Sequence, residues 1–127
     1  MASSGPVVLR IAPAGENIVL ARTVAASMCA QLNFPIDQLD DLRLAVDEAC
    51  ARLVKASDGT EIEVSFQNDS GALSIRASAG TATGQPPSPT SFSWLVITEL
   101  CDQAVCRRVD DQLIIELSSQ RRSVEVP

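Results

Sequence analysis

The sequence predicts an α+β fold, a two-layer sandwich in which a mostly antiparallel mixed sheet carries three helices on one face. Three observations predict it. Apolar periodicity gives the order β-α-α-β-β-loop-α-β-β, with two helices in succession before a hairpin, which is not the alternation of a doubly wound sheet. Two consecutive runs near the middle alternate apolar and polar residues around a turn. The aromatic content is only Trp94 and three Phe, with no Tyr, so the core is built from Val, Ile, Leu and Ala, as helices on a sheet require. At 127 residues the chain makes one domain, 1–127.

Val7 to Ala12 read as a first strand, stopped by Pro13-Ala14-Gly15. Glu16 and Asn17 place acid and amide groups where a helix begins. Ile18, Ala21, Ala25, Met28, Cys29 and Leu32 then recur at spacings of three and four, one apolar face of a helix ending near Asn33. Pro35 breaks the chain, and Asp37 is the expected cap of a second helix over about 37–55, striped by Leu39, Leu42, Val46, Ala49 and Leu53. Ser57-Asp58-Gly59 ends it.

The hairpin pairs Ile62, Val64 and Phe66 with Leu73, Ile75 and Ala77 across Asn68-Asp69-Ser70-Gly71. Residues 79–90 are small, uncharged and rich in Gly and Pro, and are expected to form a mobile loop. A third helix over about 91–101 offers Phe92, Leu95, Val96 and Leu100 for packing. Val105 and Leu113 to Leu117 mark two last strands around Asp110-Asp111. The ordered core is thus expected over about 7–117, with 118–127 a polar, frayed tail.

Composition excludes several functions. A net charge of −6 and a single Lys argue against direct nucleic-acid binding, which needs clustered cations. No apolar run reaches the roughly 18 residues that span a bilayer, and the N-terminus lacks a secretory pattern, so no membrane role and a cytoplasmic location are expected. Without His there is no Ser-His-Asp triad, no Cys-His pair and no phosphohistidine. Cys29, Cys50, Cys101 and Cys106 form no CxxC pair, so no metal site is expected and buried reduced thiols are the plain reading.

The second helix carries the one constellation with chemical content. At about 100° per residue, Leu42, Val46, Ala49 and Leu53 share an arc of roughly 60°, and Asp41, Glu48 and Arg52 gather on its flank. Glu48 and Arg52 are also an i,i+4 pair with the acid first. Two readings stay open here. One is a solvated flank with a surface ion pair; the other makes Glu48 a general base beside a polar pocket at the sheet's edge.

The stretches Glu16-Asn17-Ile18-Val19-Leu20-Ala21-Arg22 and Asp41-Leu42-Arg43-Leu44-Ala45-Val46-Asp47-Glu48-Ala49-Cys50 resemble the first two helices of the serine-kinase anti-sigma factors. Ser91 to Asp102 falls where that family has its third helix, and the likeness spans about residues 7–117. The resemblance implies the histidine-kinase-like ATPase fold and a homodimer that holds a sigma factor and yields it to an anti-anti-sigma protein with a STAS domain. It also implies ATP and magnesium as cofactors and, as the alternative activity, phosphorylation of a serine on the anti-anti-sigma protein. By resemblance the catalytic Glu is Glu48, and the partner-contacting arginine is Arg22, which taken alone reads as a solvated helix charge. The nucleotide-side positions are Arg52, Gly80, Ser91 and Ser93.

The sequence departs from the family pattern in three places. Arg52 stands where the family has a magnesium-ligating Asn, and a guanidinium repels a metal. No Asp occurs between Asp69 and Asp102, where the adenine-recognising Asp is expected; Ala77, Ser78, Ala79 and Gly80 stand there instead. Ser91 and Ser93 replace glycines whose backbone N–H groups would cradle phosphates. Together they weigh against ordinary Mg-ATP binding and favour a regulator that works by binding proteins.

Overall fold

The computed structural model describes residues 5–123. β1 (Val7–Ile11) leads through a 3₁₀ turn (Gly15–Asn17) into α1 (Ile18–Gln31) and α2 (Ile36–Ala56). The hairpin β2 (Ile62–Asp69) and β3 (Ala72–Gly80) follows, then α3 (Phe92–Leu100), then β4 (Gln103–Val109) and β5 (Gln112–Gln120). The strand order is β1-β2-β3-β5-β4. Every pairing is antiparallel, so the sheet is not mixed among the described residues.

Local chemistry explains the element ends. α1 closes with Asn33 in the left-handed region (φ 59°), Phe34 N–H donating to Cys29 O at 2.9 Å and Asn33 N–H to Ala30 O at 3.1 Å. This is the paired arrangement that satisfies a helix's last carbonyls, and Phe34 and Cys29 both enter the core. α2 is capped by Pro35 rather than Asp37, which lies in the first turn with its acid at the helix's positive end. Asn17 makes no cap bond either; its side-chain amide donates to Ala12 O at 3.1 Å. Between β2 and β3, Ser70 (φ 54°) and Gly71 (φ 88°) form a two-residue turn with both residues left-handed, the twist that suits a hairpin.

Ile62, Val64, Phe66, Leu73, Ile75, Ala77, Leu113, Ile115 and Leu117 point from the sheet into the helical layer, where Leu42, Val46, Ala49 and Leu53 of α2 meet them. Truncating one of these buried leucines to Ala costs about 2–5 kcal/mol. The opposite sheet face is polar, with Ser65, Gln67, Ser74, Arg76 and Glu116 along it, as one-sided antiparallel sheets allow.

Two boundaries differ from expectation. β3 continues through Ala79 and Gly80, because both still pair with β5. β5 runs to Gln120, so residues 118–120 belong to the sheet and not to a frayed tail. Ser119 is buried, its Oγ accepting from Asp102 N–H at 3.1 Å. Asp102 in turn accepts from Gln120 N–H at 2.8 Å. Buried Gln38 of α2 donates to Gln120 O at 2.7 Å and accepts from Arg122 N–H at 2.9 Å. The remainder of the expected tail, 124–127, lies outside the described residues.

Candidate functional site

The chain leaving β3 crosses the helical side to reach β4 at the sheet's far edge, with β5 filling the place between. Under this crossover lies a cavity of about 290 Å³. It is lined by Glu48, Ala51, Arg52, Lys55 and Ala56 of α2, Gln85 of the crossover, Ser93 of α3 and Leu113 of β5. Helical spacing puts 48, 51, 52 and 55 on one side of α2, and the packing of α3 against α2 brings Ser93 to them.

Glu48 and Arg52 do not form the expected ion pair. Arg52 reaches across to α3, where its Nη2 donates to Ser93 Oγ, and its Nε is buried with no acceptor. Glu48 is exposed, and among the described residues it forms no ion pair. A half-buried guanidinium gains more from a fixed hydroxyl acceptor than from a solvated i,i+4 carboxylate. Asp41, on the same flank of α2, lies two turns away and faces Arg122 at 4.0 Å.

The other predicted positions separate. Ser91 is the N-cap residue of α3 and its buried Oγ has no partner, but it does not line the cavity. Gly80 does not line it either. It is buried at the end of β3, its carbonyl accepting from Asp58 N–H at 2.8 Å. A Cβ there would sit 2.7 Å from Thr60 Oγ1 and 3.3 Å from both Asp58 carboxylate oxygens. The glycine permits close packing of the 58–60 turn on the strand.

The crossover is less free than its composition suggests. Thr81 is buried, and its Oγ1 accepts from Gly84 N–H at 2.8 Å. Arg108 of β4 then donates to three carbonyls, Gly84 O at 2.7 Å, Thr81 O at 3.0 Å and Ala82 O at 3.1 Å. Residues 81–84 are therefore held, contrary to the mobile loop expected. Sequence reasoning missed Arg108 and Gln85, and did not place Lys55 in the site. Lys55 was within reach, one turn beyond Arg52 on the flank already singled out.

Arg22 lies apart from Arg52, on the face shared by α1 and α2. Its Nη1 donates to Asp47 Oδ2 at 3.1 Å, and Asp47 Oδ1 is buried without a partner. A groove of about 430 Å³ around the pair is lined by Val19, Arg22, Thr23, Ala26, Arg43, Leu44 and Asp47. Val19 and Leu44 stay roughly half exposed there (43% and 49%). A second groove runs from Glu16 past Arg22 and Asp47 to Glu48 and Ala51, so Glu48 stands on the ridge between the Arg22 face and the cavity.

The thiols are not reactive groups. Burial pushes Cys29 up to about 11. Burial and the neighbouring Asp47 push Cys50 to about 12, and burial with Asp102 pushes Cys101 to about 11. Cys106 is also raised by burial, opposed by Arg52. Thiols held protonated are poor nucleophiles and poor metal ligands.

The match to the histidine kinase-like ATPase domain model extends over residues 11–118, nearly every element just described. The chain belongs to the histidine kinase-like ATPase family. Its relatives include the anti-sigma-F factor RsbW of two Mycobacterium tuberculosis strains, each 37% identical over 97 residues. That alignment covers 74% of this chain and 56% of the relative, so the chain spans just over half the length of those proteins. A crystal structure of the RsbU and RsbW domains of a Mycobacterium tuberculosis protein superposes with a TM-score of 0.73 at 12% identity. It covers 92% of this chain and 32% of the other, a likeness of fold.

Against the family's ATPase chemistry, the lining fits a nucleotide only in part. Ala51, Ala56 and Leu113 offer an apolar wall. Magnesium does not fit, because the lining has one carboxylate against two cations. Among the described residues no group of three His, Cys, Asp or Glu could hold a metal.

Proposed function

We propose that this chain is an anti-sigma factor that binds a sigma factor across the α1–α2 face and releases it to an anti-anti-sigma partner with a STAS domain. The carrying observation is the Arg22–Asp47 pair set beside half-exposed Val19 and Leu44. An arginine fixed by a partly buried carboxylate and ringed by apolar side chains has the make-up of a binding hot spot. The likeness to the anti-sigma-F factor RsbW supports the same reading. A homodimer is proposed on the family resemblance alone. A cytoplasmic location follows from the proposed partner, and among the described residues no helix is long and apolar enough to cross a membrane.

Serine phosphotransfer to the anti-anti-sigma protein is the second reading, favoured by the exposed carboxylate of Glu48 at the cavity's rim. The misfit of magnesium weighs against it, because phosphoryl transfer rests on metal-borne charge.

Two substitutions separate the readings. Arg22→Ala is expected to weaken sigma-factor binding at least roughly tenfold, the usual effect of losing a hot-spot arginine. Glu48→Ala is expected to leave that affinity unchanged. The binding reading is overturned if Arg22→Ala binds like the parent. The kinase reading gains the upper hand if the parent labels the partner's serine with Mg-ATP and Glu48→Ala does not.

A further inference from the structure

We propose that the crossover and α3 form a cover held shut over the cavity by two arginines of the chain itself, Arg52 and Arg108, so that the closed arrangement needs no bound ligand. The device does not depend on whether the α1–α2 face binds a sigma factor.

The first foot of the cover is tied to β4. Arg108 donates to Gly84 O, Thr81 O and Ala82 O, and its side chain is only 21% exposed. A planar guanidinium can gather several carbonyls at once, as a compact ammonium cannot. Gly84 also rests on the end of α2. A Cβ there would come 3.1 Å from Ala56 Cβ and 2.7 Å from Thr81 Oγ1, so the missing side chain is what lets this foot sit so close.

The second foot is tied to α2. Arg52 Nη2 donates to Ser93 Oγ in the first turn of α3. Its Nε is buried and, among the described residues, has no acceptor, so the side chain lies in the seam between the helices and not in solvent. Its charge reaches β4 as well, where it opposes the rise that burial gives the Cys106 thiol. Leaving Nε unpaired is a cost, and the charge-assisted bond to Ser93 in a poorly hydrated seam offsets it.

Between the feet the chain has little freedom. Pro86, Pro87 and Pro89 each fix a backbone angle and lower the entropy lost on closing. Ser91 N–H donates to Ser88 O at 2.9 Å and Thr90 N–H to Ser88 Oγ at 3.3 Å. Gln85 then roofs the cavity. A segment that orders around a ligand's charges takes its closing energy from that ligand. Here a fixed cation on α2 bonds the cover directly, and the same cation repels a dication. The feature that excludes magnesium is thus the one that closes the cover.

The test is hydrogen exchange on the 127-residue chain, alone and with millimolar Mg-ATP, reading the α3 amides of Val96 and Ile97 against the sheet amides of Val64 and Ile75. The parent should protect α3 without nucleotide, and Mg-ATP should change that protection less than roughly threefold, since a ligand moves an equilibrium only by its differential affinity. Arg52→Ala should speed α3 exchange at least roughly tenfold while the sheet amides keep their rates, a local opening that follows loss of a bond to a charged group. Ser93→Ala should act in the same direction, and the double variant should open no further than Arg52→Ala, because both remove one bond. Arg52→Lys keeps a donor and should restore part of the protection. Arg108→Gln should speed exchange at Gly84 N–H. Should circular dichroism show Arg52→Ala unfolded, Ser93→Ala and Arg52→Lys decide. An α3 that exchanges like an open chain in the parent, a larger slowing of its exchange by Mg-ATP, or folded variants protected like the parent would overturn the proposal.

Discussion

At the scale of single residues, partners distant in sequence overrule local spacing. Glu48 and Arg52 stand at the best helical separation for an ion pair, yet Arg52 turns to Ser93, which lies 41 residues on. The pattern of α2 was legible because a helix wheel needs only the chain itself; the approach of α3 was not. Arg22 was likewise legible as a helix charge, whereas its partner Asp47 belongs to another helix. Gly80, a nucleotide-side position by resemblance, does not line the cavity and packs against the 58–60 turn. Gly80→Ala would force a methyl to 2.7 Å from Thr60 Oγ1 and displace the 58–60 turn. A loss of about 1–3 kcal/mol in urea unfolding is expected, the usual cost of overpacking. An unchanged midpoint would mean that the turn yields freely.

At the scale of elements, apolar periodicity placed every helix and strand, and the misjudged ends are those whose residues are polar. Ser118, Ser119 and Gln120 look like a tail, but β3 opposite them extends to Ala72 and provides pairing for each. Gln38 was passed over for the same reason: an amide on the inner side of α2 interrupts an apolar stripe. It acts as a clasp, since one end of its amide bonds the last residue of β5 and the other the backbone just beyond it. Gln38→Ala leaves Gln120 O and Arg122 N–H without those partners and should cost about 1–3 kcal/mol. Hydrogen exchange at Arg122 should rise in the variant before the centre of the sheet is affected. Protection equal to the parent's would show that the clasp is not what holds this end.

At the scale of the whole molecule, the alkaline limit of stability follows from composition and burial together. Cys29, Cys50 and Cys101 are raised from 9.0 to about 11, 12 and 11 by burial, with Asp47 and Asp102 adding to the last two. The folded state therefore keeps its thiol protons when the unfolded chain has lost them. Stability from this source is full below about pH 9 and declines as pH rises toward 11–12, because the native state then binds more protons than the unfolded one. Each thiol contributes a slope of up to about 1.4 kcal/mol per pH unit. With no Tyr and a single Lys, few other groups titrate in that range. Urea midpoints should stay level from about pH 7 to 8.5 and fall beyond 9, and Cys50→Ala should flatten the fall. A level profile to pH 11 would contradict the burial of these thiols.

The fold of the family is thus retained, and the proposed binding role rests on the face that carries Arg22. The direct measurement is the affinity of this chain for the proposed partner, a sigma factor, with and without Mg-ATP. Tight binding is expected without nucleotide, altered less than roughly tenfold by Mg-ATP, a difference of about 1.4 kcal/mol. Binding that requires Mg-ATP, or no binding to any sigma factor from the same cell, would contradict it.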